Sequence, residues 1–303
     1  LATIETGTWD PWCCKQLGVP EQVLPEVMDS DAFFAVTRGV EGLPDGIPIN
    51  GVLGDQQAAL FGQACFSPGA AKCTFGTGAF LLANCGDSPV FSSHGLLTTP
   101  AWRVGGQTTY ALEGATFIAG AAVQWLRDEL GMIDSAADIE ALAGAVEDSA
   151  GVTFVPALAG LGAPHWRPDA RGALLGLTRG SNRNHIARAV LDGIALQIVD
   201  LLSAVAGDRA QAIDTLRVDG GAAANNLLMQ TQADLLGVTV DRPPMLEATG
   251  LGAALVAGLG AGHFSSLDTI ADGWQLQQRF RPQKDDGWRN RQKERWANAV
   301  ERC

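Results

Sequence analysis

The order of hydrophobic and polar positions divides the chain near residue 50. Before that point, short apolar patches alternate with Pro20, Pro25, Pro44 and Pro48. Proline interrupts both helices and strands, so this part predicts one or two short helices followed by an irregular, glycine-rich connection. From Gly51 onward the segments are rich in glycine and alanine, and they follow clear strand and helix periods.

Beyond residue 50, periodicity predicts alternating strands and helices. The predicted strands are residues 71–77, 79–85, 107–112, 152–156, 172–177, 216–218 and 238–241. The predicted helices are residues 115–130, 184–206, 225–236 and 248–260. A last helix is expected within residues 279–302, docked through Trp288 and Trp296, which lie on one helical face. A short apolar strand is also expected just before residue 54.

The stretch from residue 216 to 241 predicts a parallel crossover unit of strand, glycine turn, helix and strand. Gly237 is placed to end its helix. Such a unit binds ligands at the carboxyl end of its first strand. Because hairpins come first and crossovers later, the whole pattern predicts an α/β domain with a mixed sheet flanked by helices.

Composition favours small-molecule chemistry. The 303 residues are 47% hydrophobic, and the formal net charge is -12. An acidic protein offers no basic face to a nucleic acid or an anionic membrane, so neither is an expected partner. No apolar run reaches the roughly 18 residues of a membrane span. The six cysteines lack metal-ligand spacing, which favours reduced thiols in a cytoplasm. Cys13 and Cys14 are either a redox pair or two neighbours on a helix.

One glycine-rich segment could bind phosphate, although the two commonest phosphate and dinucleotide loops are absent from the sequence. The segment TFGTGAF, residues 74–80, places Gly76, Thr77 and Gly78 between two predicted strands. Its turn exposes backbone N–H groups and a hydroxyl that could cradle phosphate oxygens. A glycine hairpin is also the ordinary way to join two strands, so both interpretations stay open.

Two further segments carry candidate chemistry. In VDGGAAANN, residues 218–226, Gly220 and Gly221 would let a ligand touch the backbone, and Asn225 or Asn226 could cap a helix or bind a base or ribose. A capped turn without a ligand explains that segment equally well. In GDQQ, residues 54–57, the acid Asp55 is either a helix cap or a catalytic base.

Taken in order, these segments resemble the FGGY carbohydrate kinases, and in particular their glycerol-phosphorylating branch. The resemblance rests on GDQQAALFGQ, KCTFGTGAFLL, LLTTPAW, ALEGATFIAGAAVQWLRDEL, GLGAPHWRPDARGALLGLTRG and RVDGGAAANN, which cover most of the chain from residue 50. It implies an actin-like, ribonuclease-H-like ATPase fold and transfer of the ATP γ-phosphoryl group to glycerol. It also implies Mg²⁺ as a cofactor, and a homo-oligomer for the full-length protein.

The resemblance also assigns roles position by position. Asp55 is expected to be the general base and a Mg²⁺ ligand, and it is expected to bind glycerol together with Gln56 and Phe80. The residues expected to bind ATP are Gly76, Thr77, Gly78, Gly120, Gln124, Gly220, Gly221 and Asn225.

The resemblance has limits. The family's first phosphate loop, D-x-G-[ST]-T, has no counterpart, so residues 1–61 are expected to be the end of the family's N-terminal domain and residues 62–303 its nucleotide-binding domain. On this interpretation the chain is inactive alone. Where members regulated by fructose 1,6-bisphosphate carry Gly-x-Arg, this chain reads Pro44-Asp45-Gly46. Another polyol or sugar kinase, or a non-catalytic nucleotide-binding protein, remains an alternative.

Overall fold

The computed structural model describes residues 1–209 and 213–303. The strands are β1 (Ala35–Val36), β2 (Pro48–Ile49), β3 (Ala71–Phe75), β4 (Ala79–Gly86), β5 (Leu97–Val104), β6 (Gln107–Thr116), β7 (Thr153–Val155), β8 (Ala173–Leu175), β9 (Thr215–Asp219), β10 (Thr239–Arg242) and β11 (Gln278–Phe280). The helices are α1 (Pro11–Gln16), α2 (Asp55–Gly62), α3 (Gly120–Asp128), α4 (Asp138–Gly144), α5 (Arg183–Asp208), α6 (Asn226–Leu236), α7 (Ala248–Gly260), α8 (Leu267–Asp272) and α9 (Asp286–Val300).

A seven-stranded mixed sheet forms the centre, in the order β11-β10-β9-β3-β4-β6-β5. The pairs β3/β9 and β9/β10 are parallel, and the other neighbours are antiparallel. The hairpins come first along the chain and the crossover β9-α6-β10 comes later, which confirms the predicted mixed α/β architecture. Gly237 ends α6 in the left-handed conformation, as predicted, with φ of 74°.

The protein has two hydrophobic cores, and helix α5 packs in the larger one together with α3, α6 and α9. By length and composition α5 could cross a membrane, but 72% of its apolar window is buried inside the protein, so we interpret it as a core helix. The C-terminal helix α9 docks through its aromatics as expected: Trp296 is buried, and its Nε1 donates a hydrogen bond to Asp200 Oδ2 at 2.7 Å.

The opposite face of the sheet is covered by α2 and α7, which enclose a smaller core containing Leu60, Phe61 and Val256. The backbones of these two helices contact each other where the helices cross. A Cβ atom at Gly252 would lie 1.8 Å from the carbonyl oxygen of Ala58. The small residues of both helices therefore allow the backbones of α2 and α7 to pack directly against each other.

Several details differ from the sequence prediction. The strand expected before residue 54 is wrong, because residues 50–54 are irregular and Asp55 begins a helix. The helix expected from residue 115 begins at Gly120, since pairing with β4 extends β6 to Thr116. Strands β5 and β11 and helices α4 and α8 were not predicted.

Candidate active site

Strands β3 and β9 end side by side at one edge of the sheet. Thr74 of β3 lies directly opposite Asp219 of β9. The glycine turns that follow these strands therefore emerge next to each other. Gly220 has φ of 86°, and a Cβ there would lie 2.5 Å from the carbonyl oxygen of Phe75. Only glycine fits this position, so the role of Gly220 is to let the two turns approach.

The turn after β3 is joined to the start of α3. The N–H of Gly120 donates to the carbonyl oxygen of Gly76 at 2.9 Å, and the N–H of Ala119 donates to that of Thr77 at 2.8 Å. A Cβ at Gly120 would lie 2.6 Å from the same Gly76 oxygen. The turn and the first residues of α3 therefore form one rigid backbone unit.

The same turn presents free hydrogen-bond donors. Gly76 and Thr77 are exposed. Among the described residues, the N–H groups of Thr77 and Gly78 have no protein acceptor within hydrogen-bond distance. Gly78 is buried, so the groups that face the solvent are the unpaired N–H and the hydroxyl of Thr77, which can bind an anion. This geometry favours the phosphate-binding interpretation over that of a simple hairpin.

A cavity of about 400 Å³ opens beside this turn. Six of the eight residues predicted to bind ATP line it: Gly76, Thr77, Gly120, Gln124, Gly221 and Asn225. The other two, Gly78 and Gly220, lie in the turns behind the lining. The sequence reasoning missed the remaining wall, which comes from helices α3 to α6, from the segments before α4 and α6 and from the end of β3: Val123, Arg127, Ala136, Ala137, Ile139, Glu140, Leu191, Ala222, Ala224, Leu228 and Phe75.

The polar groups of the cavity have defined positions. Gly120 and Gln124 are one helical turn apart on α3 and so share a face. Asn225 caps α6, with its Oδ1 accepting from the N–H of Leu228 at 2.8 Å. Its amide nitrogen makes no hydrogen bond within the described chain. The two interpretations of Asn225 are therefore compatible: one end of the amide holds the helix, and the other is available to a ligand.

Asp55 lies outside that cavity, at the first residue of α2. The N-cap position belongs to Gly54, and the carboxylate of Asp55 is exposed. Its Oδ1 accepts from the N–H of Gln56 at 2.8 Å. The carboxylate is therefore not buried in a cap interaction across the helix, which was the alternative interpretation from the sequence.

A buried lysine connects Asp55's helix to the phosphate-side turn. The Nζ of Lys72 donates to Gln56 Oε1 at 2.6 Å, to Thr74 Oγ1 at 2.9 Å and to the carbonyl oxygen of Phe80 at 3.4 Å. Gln56 and Phe80, both expected to bind glycerol, are thus joined through one ammonium. The sequence reasoning missed Lys72, although a lysine alternating with apolar residues in a predicted strand was a visible signal.

The charges around this lysine are partly buried. Burial lowers the pKa of Lys72, while the negative charge of Asp219 opposes that change. Burial raises the pKa of Asp219, with Lys72 opposing. Burial also raises the pKa of Glu113; Lys72 opposes this shift and the charge of Asp55 adds to it. Asp55, Lys72, Glu113 and Asp219 therefore share one electrostatic environment.

The fit of a metal ion rests on Asp55. In the part of the chain that the structure describes, no group of three or more acidic, histidine or cysteine side chains could hold a metal by itself. Mg²⁺ commonly keeps several waters and is bound by one or two carboxylates together with substrate phosphates. An exposed carboxylate such as that of Asp55 fits this mode, in which the nucleotide supplies other ligands.

Family comparisons agree with this geometry. The model described as "FGGY family of carbohydrate kinases, C-terminal domain" matches residues 71–261, and that of the N-terminal domain matches residues 1–62. Glycerol kinase of Myxococcus xanthus is 57% identical over 305 residues, an alignment that covers 100% of this chain and 62% of that protein. The chain thus spans about three fifths of this relative's length.

Solved structures agree in fold. The crystal structure of Plasmodium falciparum glycerol kinase with ADP superposes with a TM-score of 0.92 and is 38% identical, covering 100% of this chain and 61% of that one. A ligand-bound xylulose kinase from Lactobacillus acidophilus has a TM-score of 0.86 at 20% identity, covering 99% of this chain and 61% of its own. The actin-like, ribonuclease-H-like fold is thereby confirmed.

Proposed function

Because the chain belongs to the FGGY family of carbohydrate kinases, we propose that the full-length protein transfers the γ-phosphoryl group of ATP to glycerol, forming glycerol 3-phosphate. The observation that carries this proposal is the cavity beside the 76–78 turn, because it gathers six residues that the family resemblance assigns to ATP. The identity to glycerol kinases supports glycerol as the acceptor.

ATP would enter with its phosphates toward the turn and its base toward the helices. The N–H of Thr77 has no protein acceptor in the described chain and lies in the exposed part of the turn, so it is available to phosphate oxygens. The deeper wall is apolar, with Val123, Ile139 and Leu228, and suits an aromatic base. The amides of Gln124 and Asn225 are then placed to hydrogen-bond the adenosine end.

Asp55 would act on the acceptor. Its exposed carboxylate can accept the proton of the attacking hydroxyl while the oxygen forms its bond to the γ-phosphorus. The bond to the β-γ bridging oxygen breaks as this happens, and ADP carries the displaced charge. Bound Mg²⁺, for which Asp55 is a fitting ligand, would neutralise charge on the phosphates. Most of the catalytic benefit of the site then comes from positioning and charge relief.

The domain assignment and surroundings extend the proposal. Residues 1–61 would complete the family's N-terminal domain, and residues 62–303 would form its nucleotide-binding domain, in keeping with the two family matches. We place the protein in the cytoplasm as a homo-oligomer. All six cysteines are unpaired, as expected of a reducing compartment.

The direct test is a coupled assay for ADP with the full-length protein, ATP and Mg²⁺, using glycerol and a panel of other polyols and sugars. We expect glycerol-dependent ADP formation, an equal amount of glycerol 3-phosphate, and loss of turnover when a chelator removes Mg²⁺. Turnover with another polyol but not with glycerol would contradict the proposed acceptor. Nucleotide binding without turnover on any acceptor would favour a non-catalytic protein.

A further inference from the structure

Lys72 is a costly residue in the place where it lies. It is fully buried and is the second residue of β3. Removing an ammonium from water is expensive, and a well-packed apolar residue of similar volume often stabilises a core as well or better. A role for this side chain must therefore depend on its charge or on its hydrogen bonds.

All three protons of the ammonium have acceptors. Those acceptors are Gln56 Oε1, Thr74 Oγ1 and the carbonyl oxygen of Phe80. They belong to three segments: the first turn of α2, the end of β3 before the 76–78 turn, and the start of β4 after it. One cation therefore joins both sides of the proposed reaction centre.

The sheet register shows that Lys72 faces helix α2. Lys72 lies opposite Leu82 of β4, and Thr74 lies opposite Phe80. Residues paired in this way point to the same face of the sheet, and this is the face that α2 covers. The hydrogen bond from Lys72 Nζ to Gln56 Oε1 shows that the first turn of α2 is within reach of this lysine. Asp55 precedes Gln56 and is bound to it through its own Oδ1.

We propose that Lys72 is a positioning residue of this site: its buried ammonium fixes the first turn of α2, and with it the carboxylate of Asp55, relative to the 76–78 turn. The inference rests on the proposed function, because it assigns Lys72 a part in placing the base. Lys72 is fully buried and does not line the nucleotide cavity. Its substitution should therefore slow the chemical step more than it weakens nucleotide binding, since a misplacement of about 1 Å can cost roughly 10²-fold.

The test uses the full-length protein with Lys72→Met, which keeps the length of the side chain and removes its donors. Leu82→Val is the matched control, because Leu82 is the buried cross-strand neighbour on the same face and makes no polar link to α2. With rates normalised to the number of ADP-binding sites, we expect Lys72→Met to lower kcat by at least about 10-fold. The KM for ATP should stay within about threefold, and Leu82→Val should keep kcat.

A double-mutant cycle separates positioning from general loss of structure. If Lys72 acts through Gln56, adding Lys72→Met to Gln56→Ala should lower kcat little beyond the effect of Gln56→Ala alone. Fully additive effects, an unchanged kcat in Lys72→Met, or an equal loss in Leu82→Val would each overturn the inference.

Hydrogen exchange provides a readout that does not depend on activity. In Lys72→Met, amides of residues 58–62 should exchange at least about 10-fold faster than in the wild type, while those of residues 226–236 should keep their protection. If the wild type fails to phosphorylate glycerol, the proposed function fails, and this local change would still support the positioning role. Unchanged exchange in α2 would overturn the positioning role even in an active kinase.

Discussion

The N–H of Gly120 donates to the carbonyl oxygen of Gly76 at 2.9 Å, and a Cβ on Gly120 would lie only 2.6 Å from that oxygen. The first residue of α3 and the phosphate-side turn are therefore in direct backbone contact. Because Gln124 follows one turn later on α3, this contact sets the distance between the proposed phosphate end and adenosine end of the cavity.

Gly120→Ala should therefore damage nucleotide binding. The added methyl group must displace the turn or α3, and we expect the KM for ATP to rise by at least about 10-fold, since a shift of the turn removes contacts made to ATP in both ground and transition states. Gly144→Ala is the matched control, because its Cβ would meet nothing closer than Leu227 at 3.9 Å. Equal KM values for the two variants would show that the contact is not needed for binding.

Asn225 offers a way to separate capping from ligand binding. Asn225→Ser keeps a cap acceptor for the N–H of Leu228 but loses the amide donor, whereas Asn225→Ala loses both. Both variants should raise the KM for ATP, while only Asn225→Ala should also lose about 1 kcal/mol of unfolding free energy. Kinetic assays and urea unfolding measure the two effects. A KM raised in Asn225→Ala alone would mean that the residue only caps α6.

Asp208 should make stability depend on pH in the acid range. Its side chain is 1% exposed and accepts hydrogen bonds from His94, Ser92 and Ser93. Burial alone would raise its pKa, but these bonds outweigh burial and lower the pKa to about 2. A lowered folded-state pKa stabilises fully above the unfolded value of about 4, and the stabilisation disappears as pH falls toward 2.

Asp208→Asn should accordingly cost about 2 kcal/mol of unfolding free energy near pH 7, and progressively less below pH 4. Urea unfolding of both proteins across this range is the measurement. A difference that stayed constant down to pH 2.5 would show that the charge of Asp208 is not the source of its effect.

The sequence predicted those parts of the site that local chemistry determines. Gly237 and Asn225 end and begin a helix by their own backbone and side-chain preferences, so the crossover unit was correct within one or two residues. Thr77 stood between two apolar strands whose pairing needs a short glycine turn. These features need no information from distant parts of the chain.

The remaining features depend on contacts between segments far apart in sequence. Residues 55–62 form a helix whose backbone contacts α7 at Gly252, a contact that the local pattern does not show. The α4 wall of the cavity, including Ile139, joins the site only after α4 packs against α5. The hydrogen-bond partners of Lys72 depend on the register that brings Phe80 beside Thr74 and on the helix that carries Gln56.

The most direct test of the account is Asp55→Asn in the full-length protein, with kcat measured at saturating ATP and glycerol and ADP affinity measured by calorimetry. The asparagine keeps the size of the side chain and removes its ability to accept a proton. Asp268→Asn, another acid in the first turn of a helix, is the control. We predict that Asp55→Asn lowers kcat by at least about 10²-fold with ADP affinity nearly unchanged, while the control keeps both. A kcat within about threefold of the wild type would contradict the assignment of Asp55 as the base.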